Sequence, residues 1–247
     1  MVYLSGFHAM EEAVRSGPGS GKQLLVAAPG PRVKKIMDEA AKKGVPLRRV
    51  GQAELDRLAP GNRGAALAMD AAPGADAVDL DAWCDGLDDG ATAGKATAGK
   101  ATVLILDHIE DPHNYGAILR SADVFGCDLV VVPERRAAGQ TDAVARSSAG
   151  ALAYVPVAPV PNLARALERL KDAGFWSYAA DMGGQALSAA ELPARVALVM
   201  GAEGSGVSRL LKERCDGILS IPQKGHVDSL NVSVAAGIFL YELSKRP

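Results

Sequence analysis

The chain has 247 residues, 48% hydrophobic, 23% charged and only 4% aromatic, with a formal net charge of −2. That length and apolar content suffice for one large core or two ordinary ones, and no apolar run approaches the ~20 residues of a membrane span. The first residues lack the basic flank and long apolar stretch of a signal peptide, so a cytoplasmic location is expected. Cys84, Cys127 and Cys215 are odd in number and far apart, which excludes a disulfide framework or a zinc site and leaves plain thiols.

Charge is unevenly spread. Residues 1 to 70 hold 11 Lys+Arg against 7 Asp+Glu, residues 71 to 101 hold 2 against 6, and residues 102 to 247 hold 14 against 16. The basic excess sits wholly at the N-terminal end, where a patch could meet phosphates while the whole chain stays mildly acidic; an ordinary solvated surface accounts for it equally well.

In chain order, residues 7 to 15 predict a helix, 24 to 27 a strand, 33 to 43 a helix closed by Gly44, and 45 to 50 a strand. A helix over 53 to 59 stops at Pro60-Gly61, and 64 to 69 can form a last strand. Residues 1 to 70 thus form a small α/β unit. Within it, residues 17 to 22 resemble a phosphate-binding loop, but Ser16 stands where that motif starts with glycine and Gln23 where it has a magnesium-holding hydroxyl. They read as a flexible turn.

From 71 to 101 the composition shifts to Ala, Gly, Asp and Thr, with Ala91-Thr-Ala-Gly-Lys95 repeated as Ala96-Thr-Ala-Gly-Lys100. Such a segment buries little and should be a mobile linker between domains. Residues 102 to 247 then alternate strands (102 to 106, 129 to 132, 154 to 157, 175 to 180, 196 to 200, 218 to 221) with helices, among them 142 to 151 and 163 to 173. Apolar strands alternating with helices predict an α/β fold with a mostly parallel sheet covered on both faces. Ligands in such sheets lie at the carboxyl ends of the strands, where the unusual polar residues of this chain fall.

Five constellations could carry chemistry. The turn Gly201-Ala-Glu203-Gly-Ser-Gly206 follows a strand, but its spacing is not the G-x-G-x-x-G of a dinucleotide turn. Its glycines allow backbone to pass close to a ligand, with Glu203 its only charged side chain. Asn114 could cap the helix after residue 111. Arg120, inside an otherwise apolar helix, would need an acid or a phosphate as partner. A metal site built from Asp107, His108, Asp111 and His113 matches no ligand spacing, and no G-x-S-x-G elbow supports a triad of Ser205 or Ser229 with His226. Near the end, Ser229, Asn231 and Ser233 alternate with Leu230, Val232 and Val234; Ser229 can cap the last helix, which leaves Asn231 and Ser233 for a ligand.

Three stretches, Asn114-Tyr-Gly-Ala-Ile-Leu-Arg120-Ser-Ala, Leu198-Val-Met-Gly-Ala-Glu-Gly-Ser-Gly206 and Ile221-Pro-Gln-Lys-Gly225 through Ser229-Leu-Asn-Val-Ser-Val-Ala235, resemble in order and spacing the three motifs of the SpoU (TrmH) family of RNA ribose methyltransferases, over residues 103 to 243. Residues 1 to 70 resemble an L30e-like RNA substrate-binding domain. The resemblance implies a C-terminal trefoil knot, a homodimer, S-adenosylmethionine as cofactor and RNA as partner. Its product would be a 2′-O-methylated ribose, that of a guanosine in large-subunit ribosomal RNA. Transfer RNA as substrate, or a non-catalytic RNA-binding protein on the same fold, is the alternative. The implied catalytic residues are Asn114, Arg120, Glu203, Ser229 and Asn231. Met200, Gly201, Gly206, Ile221, Pro222, Gly225 and Leu230 would hold the cofactor. Gln223 and Lys224 depart from the family pattern, which often has an apolar residue there.

Overall fold

A computed structural model describes residues 2–15, 19, 21–70, 77–87, 99–134, 144, 147, 148, 150–226 and 229–246. Half of the expected turn at 17 to 22, residues 91 to 98 of the Ala-Thr-Ala-Gly-Lys repeat and half of the helix expected over 142 to 151 lie outside these.

Residues 2 to 69 build a four-stranded sheet in the order β1-β4-β2-β3 from β1 (Val2–Leu4), β2 (Lys22–Val26), β3 (Leu47–Arg49) and β4 (Ala65–Met69). β4 is antiparallel to both β1 and β2, while β3 is parallel to β2. Alternation along the two inner strands sorts their side chains: Leu24, Val26, Leu67 and Met69 pack under helices α1 (Phe7–Arg15) and α2 (Pro31–Lys42), and Leu25, Ala66 and Ala68 under α3 (Gln52–Leu58). β1, only three residues long, was not apparent from the sequence.

The larger unit is a six-stranded, wholly parallel sheet in the order β10-β8-β9-β5-β6-β7. Its strands are β5 (Ala101–Asp107), β6 (Leu129–Pro133), β7 (Val157–Val160), β8 (Trp176–Ala186), β9 (Arg195–Gly201) and β10 (Gly217–Ser220). Both faces are covered. Leu104, Leu106, Val130, Leu198 and Met200 meet α5 (Pro112–Val124) and the C-terminal α8 (Val232–Ser244). Val103, Ile105, Val131, Ala197 and Val199 meet α4 (Leu80–Asp85), α6 (Leu163–Asp172) and α7 (Arg209–Arg214). Burial on both faces is why these strands read as unbroken apolar runs.

Two expectations need correction. Part of the stretch expected to be a plain linker folds: α4, capped by the Asp79 carboxylate, buries Leu80, Trp83 and Cys84, and the Trp83 ring lies 6.0 Å from Phe175. Aromatic burial anchors a short helix that its Ala- and Asp-rich surroundings disguise. The strand expected at 154 to 157 runs over Val157–Val160 instead, and Tyr154 stays half exposed beyond a short 3-10 turn (Ala151–Ala153). Within the described residues no helix is long and apolar enough to cross a membrane.

Candidate active site

The site is built where β5 and β9 end side by side, Asp107 pairing with Gly201. The chain leaves β9 through a tight turn closed by a bridge between Ala202 and Gly206, and Gly204 and Gly206 take left-handed backbone at φ 84° and 66°. A side chain at Gly201 would lie 1.9 Å from the Gly206 carbonyl carbon, so the turn folds directly onto the strand end. The buried Asp107 carboxylate fixes it from below, accepting the Ser208 N–H at 2.7 Å with one oxygen and meeting His108 Nδ1 at 2.6 Å with the other.

The caps differ from expectation, and the difference bears on chemistry. Asp111, not Asn114, caps α5: its carboxylate accepts the N–H groups of His113 and Asn114 at 3.3 and 3.1 Å. Asn114 is thereby freed. Its Nδ2 donates to Glu203 Oε2 at 3.3 Å, and its Oδ1 accepts from Asn231 Nδ2 at 3.0 Å. Asn231, not Ser229, caps α8, its Oδ1 accepting the Ser233 N–H at 3.0 Å and the Ser233 hydroxyl at 2.6 Å. The polar chain Glu203, Asn114, Asn231, Ser233 therefore joins three segments that lie 89 and 117 residues apart.

Beside it lies a cavity of about 500 Å³. Met200, Gly201, Gly206, Ile221 and Leu230 line it, as do Glu203 and Ser229. Pro222 and Gly225 do not, and of the polar chain only Glu203 does, with Asn114 and Asn231 standing behind it. Arg120 is absent from the lining too: it stands exposed on α5, without the buried partner expected for it and with no hydrogen bond or ion pair among the described residues. Tyr115, Ile118, Leu119 and Ala122 form the buried stripe of that helix, and position 120 falls outside their i, i+3, i+4, i+7 pattern.

Sequence reasoning missed further wall residues, among them Asp181, Met182, Lys212 and Phe239. Asp181 and Met182 are there because the pairing of β8 with β10 jumps from Ala179↔Ile218 to Gln185↔Leu219, which pushes residues 180 to 184 out of register at the strand's upper end. Gly183-Gly184 is the one signal of that bulge in the sequence, and Gly184 lies so close to the Ile218 carbonyl that any side chain there would collide. Lys212 reaches in from α7 and pairs with Asp181.

Among the described residues no group of three His, Cys, Asp or Glu side chains could hold a metal, and Asp107 and Asp111 are engaged as just described. No hydrogen bond links His226 to Ser205 or Ser229 among the described residues. Burial pushes the Cys127 thiol up to about 12 and the Cys84 thiol to about 11, so neither is a nucleophile at neutral pH.

The match of family models decides what this arrangement belongs to. The SpoU rRNA Methylase family model matches residues 101–241, and a model for RNA 2'-O ribose methyltransferase substrate binding matches residues 3–71. The chain is a member of the SpoU RNA methylase family. Among its relatives, the 23S rRNA (guanosine-2'-O-)-methyltransferase RlmB of Xanthomonas campestris is 38% identical over 245 residues, 97% of this chain and 94% of that protein. A putative TrmH family tRNA/rRNA methyltransferase of Staphylococcus haemolyticus is 36% identical over 249 residues, covering 99% and 96%. The fold is shared with the SpoU methyltransferase AviRb of Streptomyces viridochromogenes, solved in complex with AdoMet, at a TM-score of 0.74 and 21% identity over 98% of this chain and 89% of that one. A putative RNA methyltransferase of the TrmH family from Porphyromonas gingivalis likewise has a TM-score of 0.74, at 24% identity over 100% and 90%.

Proposed function

We propose that this SpoU-family methyltransferase moves the methyl group of S-adenosylmethionine to the 2′-oxygen of a ribose, that of a guanosine in large-subunit ribosomal RNA. The observation that carries the reading is the hydrogen-bonded run of Glu203, Asn114 and Asn231 beside a cavity of cofactor size. About 500 Å³ falls within the ~300–1,000 Å³ typical of small-molecule sites. The donor set fits the cofactor as well: Met200, Ile221, Leu230 and Phe239 offer an apolar bed for a purine, and Lys212 and Asp181 offer opposite charges to the amino-acid zwitterion. When bound, the cofactor's sulfonium supplies an activated methyl group.

The protein's own task is then orientation and charge. Glu203 Oε1 has no partner among the described residues and, with the amides of Asn114 and Asn231, can hold the ribose hydroxyls; Ser229 adds a hydroxyl at the cavity wall. Arg120 serves as a phosphate holder on the solvent side of α5. A guanidinium stays protonated above pH ~12 and makes a poor proton acceptor.

In the same reading the C-terminal segment forms a trefoil knot, residues 1 to 70 are an L30e-like RNA-binding domain joined to the larger unit through the residues before α4, and the working unit is a homodimer. Val124, Val234 and Tyr241, all about half exposed or more on the packed pair α5 and α8, support a self-complementary apolar contact there.

Incubation with tritiated S-adenosylmethionine and total RNA, followed by mapping of ribose methylation, tests the substrate. Label is expected in large-subunit ribosomal RNA at a guanosine. The Staphylococcus relative, a putative tRNA/rRNA methyltransferase, favours transfer RNA as the second reading; label there alone would select it, and no label in any RNA would leave a non-catalytic binder.

A further inference from the structure

The four-stranded unit holds a second cavity, of about 350 Å³, between the first turn of α1, the first turn of α2 and the turn before β4. Phe7, His8, Arg32 and Arg63 supply its side-chain chemistry. The guanidinium carbons of Arg32 and Arg63 lie 5.4 and 5.7 Å from the centre of the Phe7 ring. Arg32 donates to His8 Nε2 at 3.1 Å and meets Glu11 Oε1 at 3.4 Å. Arg63 has no hydrogen bond or ion pair among the described residues. Two guanidiniums are thus drawn to one ring with a single carboxylate beside them.

That imbalance points to an anion from outside. Two like charges near one ring repel, and an exposed cation–π contact returns only ~0.5–1 kcal/mol each. Neither α1 nor α2 has an acidic residue in its first turn, so Glu11, in the second turn of α1, is the one carboxylate set against both positive helix ends and the two guanidiniums. A guanidinium presents a fork to a phosphate and a flat face to an unpaired base. The volume, near the floor of the ~300 Å³ range for small-molecule sites, suits one nucleotide and is far too small for a duplex.

We propose that this cavity takes one unpaired nucleotide of the substrate RNA, its phosphate between Arg32 and Arg63 and its base on a guanidinium face. The inference rests on the reading of the chain as an RNA methyltransferase. α1 also meets the larger unit, at the short 3-10 turn that precedes β7. Glu12, about 7.5 Å along that helix from Phe7, accepts a hydrogen bond from Tyr154 and packs against Gly150. RNA held at the start of α1 therefore lies on a helix that also touches the larger unit.

The test uses the full chain, labelled large-subunit ribosomal RNA fragments in filter binding across a salt series, and calorimetric titration with S-adenosylmethionine. R32A and R63A should each weaken RNA binding on the order of ten-fold at physiological salt and lower the slope of log affinity against log salt by about 0.7–1. R63K should retain most of the slope while losing affinity, because lysine keeps the charge without the fork. Cofactor affinity should stay at the wild-type value in all three. Wild-type RNA affinity and slope in R63A would overturn the inference while leaving the methyltransferase reading intact. Joint loss of RNA and cofactor affinity would overturn a nucleotide-specific role. Wild-type protein that binds cofactor but no RNA would sink the inference and the reading together.

Discussion

Asn231 has two jobs in the structure, and they can be separated. Its Oδ1 caps α8 by accepting the Ser233 N–H, and its Nδ2 donates to Asn114. Replacement by serine keeps a good capping oxygen but removes the amide; replacement by alanine removes both. Loss of a cap costs about 1 kcal/mol, and loss of a neutral hydrogen bond between part-exposed groups about 0.5–1.5 kcal/mol. N231A should therefore be about 1.5–2.5 kcal/mol less stable in denaturant unfolding, and N231S about 1 kcal/mol. Methyl transfer should order the variants differently. Both lose the link that orients Asn114 against Glu203, so single-turnover rates at saturating cofactor should fall in both to a similar extent, on the order of a hundredfold for a misplacement near 1 Å. If N231S transferred methyl groups at the wild-type rate, the amide link would be a capping by-product and the proposed orientation of the ribose would be wrong. If N231A unfolded at the wild-type denaturant midpoint, the cap itself would carry no weight.

Three other perturbations follow from the packing. G201A puts a methyl group 1.9 Å from the Gly206 backbone, which cannot move aside cheaply, so cofactor affinity should drop at least about a hundredfold while the circular-dichroism spectrum is kept; wild-type affinity by calorimetry would refute the close approach. Arg246, only 8% exposed, donates to the carbonyls of Pro193, Ala194 and Leu243 and to Thr102, so R246M should lower stability by about 3 kcal/mol, and R246K should not restore it; an unchanged unfolding midpoint would count against this. Burial pushes the Asp216 carboxyl up, but hydrogen bonds from Lys171 and Ser177 outweigh it and hold it below its ordinary value, so its stabilisation is full above the unfolded-state value and is lost as pH falls through the folded one. Below pH ~4 the wild type should therefore lose stability more steeply than D216N, and parallel curves would refute the assignment.

The large sheet was legible because β5, β6 and β9 are continuous apolar runs, a pattern that burial on both faces imposes. The polar residues of the site were legible as types, but the two helix caps among them were given to the wrong residues. Asn114 and Ser229 were read as caps because Asp, Asn and Ser are nearly equivalent there; Pro112, which favours the first helical position, marked Asp111 as the true cap. In the final helix the competitors are two residues apart, and only tertiary geometry chooses Asn231. Asp181 and Lys212 were out of reach of local reasoning. One depends on a register jump between two strands nearly forty residues apart, the other on the packing of a six-residue helix beside it.

The strand order explains why residues so distant in sequence act at one point. β9 is inserted between β8 and β5, so the loops after β5 and β9 leave the same edge of the sheet as neighbours. Asp107 then fixes the Ser208 amide, which makes the position of the glycine turn a property of β5 as much as of β9. α8 packs back onto α5 and brings Asn231 over Asn114. Each of the three polar side chains is carried by an element anchored in the same apolar layer, and the energy that orients them is that of the core beneath. A hydrogen bond of about 1 kcal/mol could not by itself hold three loops in register against the entropy of ordering them. The amides select among arrangements that the core has already brought within reach.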